Sequence, residues 1–81
     1  MTTEELKTLL VSKRKELGFS HQDVADKSGA NITRSFYGMI ENGERRPSVE
    51  VAKRIASLLK IEWTIFFEVK SNEKLRKRVA V

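Results

Sequence analysis

Apolar positions recur along this chain at helical rather than strand spacing. Leu6, Leu9, Leu10 and Leu17 fall on one side of a first helix, while Lys7, Lys13, Lys15 and Glu16 fall largely on the other. Thr2 caps that helix and Glu5 completes a capping box. The helix runs to about Leu17, and Gly18 stops it. Ser20 caps a second helix of about nine residues, with Asp23 at the capping-box position and Val24 and Ala25 facing inward. Gly29 ends it.

After the turn Ala30-Asn31-Ile32, Thr33 is the better cap of a third helix, and Asn31 would serve for an earlier start. Gly43 ends this helix. Tyr37 and Ile40 point inward, Phe36 is half exposed, and Arg34, Ser35 and Gly38 share the opposite surface. A helix that needed only burial would not require those groups, so helix 3 reads as a presented surface. Glu44-Arg45-Arg46-Pro47 is an exposed charged loop. Ser48 caps a fourth helix with an apolar stripe of Val51, Ala52, Ile55, Ala56 and Leu59. Residues 62–68 read as a short, very apolar fifth helix, with a continuous apolar strand over 63–67 as the alternative. Five short helices with tight turns predict an all-α fold.

Composition narrows the function classes. A chain of 81 residues makes one small domain. It has no cysteine and one histidine, His21. That excludes a disulfide framework, a thiolate metal site and a multi-histidine metal site, and no cofactor is expected. The absence of cysteine suits the cytoplasm. The N-terminal apolar run, Leu9-Leu10-Val11, is too short for a signal peptide or a membrane span. With no phosphate-cradling glycine loop either, no catalytic set is recognisable and no enzyme is expected.

The net charge is +5, but its position matters more than its size. Residues 1–68 hold 11 Lys/Arg and 10 Asp/Glu, whereas residues 69–81 hold 5 Lys/Arg and one Glu. The reading is therefore a domain over 1–68 and a basic C-terminal tail over 69–81. The tail is either a solvated end or a sequence-blind arm for DNA.

Helices 2 and 3 with their short turn form a helix-turn-helix in outline. Its second helix must enter the major groove, about 12 Å wide, and its first must hold the angle. Ser20 to Ala25, Gly29, Ile40-Glu41-Asn42-Gly43, Pro47-Ser48 and the helix 4 stripe together resemble the phage repressor/Cro-type, or Xre, family of helix-turn-helix domains. The resemblance spans roughly residues 4–68, and Ile-Glu-Asn-Gly followed by Arg-Pro-Ser is its most specific part.

The resemblance implies a five-helix, lambda-repressor-like bundle that binds double-stranded operator DNA, usually as a homodimer. By position, it puts Arg34, Ser35 and Met39 over base edges. It puts Thr33, Asn42, Arg45, Arg46 and His21 at backbone phosphates. Arg14 and Glu41 match a pair that in the family makes a buried salt bridge between helices 1 and 3. Two departures stand out. Ten residues separate Gly29 from Ile40, two more than is usual, and they either bulge in the turn or start helix 3 early. His21 stands where the family usually has glutamine; because histidine titrates near pH 6.5, it implies tighter binding at mildly acid pH.

Each functional assignment has a plainer rival. Arg34 could be a solvated helix residue, Ser35 filler, Met39 a packing residue, and Arg45 and Arg46 ordinary loop charge. Trp63, Ile65, Phe66 and Phe67 are many large groups for one segment: Phe66 reads as core, Trp63 and Ile65 as a dimer contact. All four completing the core is the other reading. The functional expectation is a transcriptional repressor. The alternative is a protein-interaction module, such as the antitoxin of a toxin–antitoxin pair, whose partner would use residues 63–67 or the tail.

Overall fold

The computed structural model describes residues 1–69. It contains four α-helices, α1 (Thr3–Glu16), α2 (His21–Lys27), α3 (Arg34–Asn42) and α4 (Val49–Leu59), followed by a 3-10 helix, Trp63–Phe67. The described residues contain no strand.

Each α-helix starts where its cap residue dictates. Thr2 Oγ1 accepts from Glu5 N–H at 3.1 Å, and Glu5 Oε1 accepts from Thr2 N–H at 2.8 Å. Ser20 and Asp23 repeat the arrangement at 3.0 and 2.9 Å. Thr33 and Ser48 cap α3 and α4 through their hydroxyls at 3.0 and 3.2 Å. Each bond satisfies a backbone N–H that has no partner inside its helix.

Thr33 thus settles where α3 begins. The two extra residues lie in the turn, where Asn31 takes a left-handed conformation (φ 59°) and the Ala30 N–H donates to Ser28 Oγ at 3.2 Å. Asparagine tolerates that region better than most residues. Asn31 and Ile32 therefore do not enter α3.

α1 and α2 both pack on α3 and α4, and the 3-10 helix packs on α4. The core gathers Leu6, Leu10, Val24, Tyr37, Ile40, Ala52, Ile55, Ala56, Leu59 and Phe66. α2 has only seven residues, fewer than the nine expected, so packing rather than its own propensity must hold it.

Two expectations need correction. The spacing predicts Leu17 on the buried side of α1, yet it is 37% exposed. It lies past the last helical turn, and Phe19, beyond the reversal at Gly18, packs against the core instead. The fifth element is not an α-helix. Its bonds run i→i+3, from Ile65 N–H to Glu62 O and from Glu68 N–H to Ile65 O. Phe66 enters the core as expected, while Trp63, Ile65 and Phe67 remain partly buried around it. Trp63 meets Phe67 edge to face at 6.0 Å and carries Lys53 Nζ 5.0 Å above its ring. Beyond Val69, which packs against the core, the basic tail lies outside the described residues.

The exit of α3 is tied to the start of α1 at Gly43. Its φ is +82°, and a Cβ there would run into Thr3 Cγ2. Gly18 has φ +74° but open space around it. Gly18→Ala should therefore cost only backbone strain, about 1 kcal/mol. Gly43→Ala should cost clearly more, because Thr3 must also move. Urea unfolding of the two variants measures the difference; equal losses would mean the α1–α3 contact tolerates a methyl.

Candidate nucleic-acid interface

α3 divides into two faces. Tyr37, Ile40 and Glu41 are buried. Arg34 and Ser35 are exposed, Gly38 and Met39 are half-buried, and Asn42 is exposed at the exit. Positions 34, 35, 38, 39 and 42 follow one another at helical spacing along the outer side. Thr33 is exposed at the start, its hydroxyl oxygen accepting from Phe36 N–H. The outer face thus joins a cation, a hydroxyl, a gap at Gly38 and an amide.

The buried face is anchored by a polar cluster. Arg14 from α1 grips Glu41 bidentately, Nε to Oε1 at 2.9 Å and Nη2 to Oε2 at 3.1 Å. Arg14 Nη1 also donates to the Phe19 carbonyl at 3.0 Å, which fixes the chain entering α2. His21 Nε2 reaches Glu41 Oε2 at 3.2 Å, and its ring meets Tyr37 edge-on at 5.5 Å. The Tyr37 hydroxyl is buried beside the pair but outside hydrogen-bond geometry with it.

Burial pushes the Glu41 carboxyl up, but its contacts with Arg14, Tyr37 and His21 outweigh that and hold it below the usual carboxylate range. Burial, reinforced by the Glu41 carboxylate, pushes the Tyr37 phenol well up. One carboxylate therefore joins α1, α2 and α3.

The loop after α3 holds Arg45 and Arg46 at the surface, while Pro47 is buried beneath them. Two N–H groups, Glu44 at 2.8 Å and Arg45 at 3.3 Å, return to the Met39 carbonyl and hold the loop against α3. The Arg46 guanidinium lies 5.6 Å above the Phe67 ring, a cation–π contact that orients it. On the other side of α3, Arg34, Arg14, Ser20, His21 and Gln22 line a shallow depression.

Of the sequence-expected residues, Thr33, Arg34, Ser35, Met39 and Asn42 lie along the outer side of α3, Arg45 and Arg46 lie on the loop after it, and His21 lies at the start of α2. Trp63 and Ile65 lie on the separate 3-10 element. Sequence reasoning missed the bond from His21 to Glu41, the place of Gln22 beside Arg34, and the stacking of Arg46 on Phe67. These pairs join different elements, and no periodicity marks them. Among the described residues, no cluster of His, Cys, Asp or Glu could hold a metal ion, and no helix is long and apolar enough to cross a membrane.

The cluster carries a stability prediction. Removing one side of a buried pair typically costs about 3–5 kcal/mol. Arg14→Ala leaves Glu41, 4% exposed, without its main partner, so a loss of that order is expected in urea unfolding. The pH sign follows from the lowered Glu41 pKa. Its contribution is complete above the unfolded glutamate value, about 4.3, and is lost as pH falls through the lower folded value. Arg14→Ala should remove this acid-side loss along with the stability; an unchanged melting curve would deny the pair its role.

The comparisons with known proteins agree with this geometry. A helix-turn-helix family model matches residues 10–66. The chain is 50% identical over 64 residues to the uncharacterised HTH-type transcriptional regulator YqaF of Bacillus subtilis (strain 168), an alignment covering 79% of this chain and 82% of that relative. No solved structure matches. With the capped α2–turn–α3 unit, the outward face of α3 and a match over most of the chain, the protein belongs to the Xre-type helix-turn-helix family of DNA-binding regulators.

Proposed function

We propose that this protein is a transcriptional repressor that binds a near-palindromic operator as a homodimer, with α3 in the major groove. The observation that carries the reading is the division of α3: one face locked by Tyr37, Ile40 and the Glu41 cluster, the other open with Arg34 and Ser35. A probe helix must be held rigidly from behind if its side chains are to tell bases apart.

In this reading Arg34, Ser35 and Met39 meet base edges, Arg34 suiting guanine O6/N7 and Met39 a thymine methyl. Thr33, Asn42, Arg45 and Arg46 meet phosphates and set the register. Phe67 supports the assignment of Arg46, because a guanidinium held over a ring loses less freedom on binding. Trp63 and Ile65, both partly exposed, are the dimer contact, and the two copies of α3 would lie about 34 Å apart. The basic tail adds non-specific attraction to DNA. Such a protein acts on DNA in the cytoplasm.

Selection from random duplexes, followed by salt titration on the recovered sequence, tests the reading. Two half-sites one helical turn apart are expected; recovery of no consensus would overturn it. Sedimentation of the purified protein checks the dimer: a monomer, or co-purification with a second chain, would remove the homodimer.

Two substitutions separate the contact types. Arg34→Ala should relax preference at one position per half-site, at a cost of about 1–3 kcal/mol there. Unchanged discrimination between operator and random duplex would take Arg34 out of the reading role. Arg45→Ala should weaken all sequences alike and reduce the salt slope by about one. A full slope in that variant would show an uninvolved loop charge.

A further inference from the structure

Four side chains form a continuous row: Arg46, Phe67, Trp63 and Lys53. The Arg46 guanidinium lies 5.6 Å above the Phe67 ring. Phe67 meets Trp63 at 6.0 Å with the planes 74° apart, the edge-to-face arrangement that aromatic pairs prefer. Lys53 Nζ lies 5.0 Å above Trp63 and ties that ring to α4. The two cations are exposed and the two rings half-buried. The row thus starts on the loop after α3 and ends on α4, and Phe67 belongs to both the Arg46 contact and the Trp63 contact.

We propose that Phe67 is a positioning residue that links the dimer contact to the phosphate contact: a second copy packed on Trp63 fixes the Trp63–Phe67 pair, and with it the ring on which Arg46 rests. The proposal rests on the homodimer and DNA-binding readings above. The link is reciprocal, so an Arg46 held by phosphate steadies Phe67 and, through it, Trp63.

The 3-10 helix is built to leave these rings adjustable. Its backbone bonds are long, 3.3 Å from Ile65 N–H to Glu62 O and 3.2 Å from Glu68 N–H to Ile65 O, and Glu62 gives it no side-chain cap. Phe66, 2% exposed, anchors the element in the core, whereas Trp63 and Phe67 pack against that core only in part. The Arg46 guanidinium makes no ion pair among the described residues, so the ring is what orients it. Covering Trp63 excludes water from one end of the row, and both ring–ring and cation–ring contacts tighten when water leaves. Packed side chains in direct contact are a physical route for such coupling.

Trp63 is the only tryptophan, so its fluorescence reads the row directly. The test uses the full chain at a concentration where sedimentation shows a dimer, and the duplex recovered by selection as the probe. Adding that duplex to the wild-type dimer should change the Trp63 emission. Arg46→Ala should remain a dimer, bind more weakly, and at saturating duplex show little of that change. A double-mutant cycle adds a second reading. Phe67→Leu, which keeps apolar bulk but removes the ring, should lower duplex affinity about two- to fivefold, the worth of an exposed cation–π contact. In the Arg46→Ala background it should lower affinity no further, and Phe67→Tyr should bind like wild type. The DNA-free dimer should also weaken in Phe67→Leu and recover in Phe67→Tyr.

Equal emission from the free and duplex-bound wild-type dimers, or an equal change in Arg46→Ala, would overturn the proposal while leaving DNA binding and the dimer intact. So would an equal loss of affinity from Phe67→Leu in both backgrounds, which is what a merely structural ring would give. If Phe67→Leu does not fold, the emission of wild type against Arg46→Ala decides. A chain that sediments as a monomer with and without the duplex would overturn the homodimer reading and this inference together. Failure to prefer any duplex would overturn the DNA-binding reading.

Discussion

The structure depends on one carboxylate. Glu41 is the only buried charged residue among the described side chains, and it sits where α1, α2 and α3 meet. An unpaired charge at that depth would be intolerable, so Arg14 must reach it from α1, and the fork of the guanidinium sets the angle. A third N–H of Arg14 takes the Phe19 carbonyl and so places the start of α2. Buried pairs seldom add net stability over an apolar core of the same volume. What this one supplies is geometry: two parallel hydrogen bonds allow one orientation of α3 on α1, whereas Leu and Ile contacts would tolerate sliding.

That constraint explains how helices this short can present a surface. α2 has seven residues and α3 nine, too few to be stable alone in water. Their caps start them, the core under Val24, Tyr37 and Ile40 retains them, and the Glu41 cluster sets their mutual angle. Gly43 completes the arrangement at the other end of α3, because its missing side chain lets the chain turn against Thr3. The outer face of α3 leaves Arg34 and Ser35 exposed. Arg34 and Ser35 can be chosen for what they touch.

Much of this was legible in residue order. Thr2, Ser20, Thr33 and Ser48 each announced a helix start, and each caps one. Tyr37, Ile40 and, in the α4 stripe, Ala52, Ile55, Ala56 and Leu59 showed their burial through spacing, while Val51 is only partly buried. Arg14 and Glu41 were paired through family resemblance, 27 positions apart, not through periodicity. Leu17 misled because its spacing fits the apolar side although it lies beyond the last turn of α1. The segment 63–67 misled because a short run with four large apolar residues satisfies helix, strand and 3-10 patterns alike; packing against α4 accompanies the tightest coil.

The sequence by itself determined where helices begin, which sides they bury, and that helices 2 and 3 form a helix-turn-helix, because caps and 3.6-residue periodicity are local properties. Tertiary structure alone decided three further matters. It placed the two surplus residues in the turn before Thr33, where Asn31 takes a left-handed conformation. It set Arg46 over Phe67. It turned His21 from a surface residue into a partner of Glu41, leaving Nδ1 beside the gap at Gly38. The last two rest on contacts between distant segments, and composition and spacing do not encode the distances across a folded core.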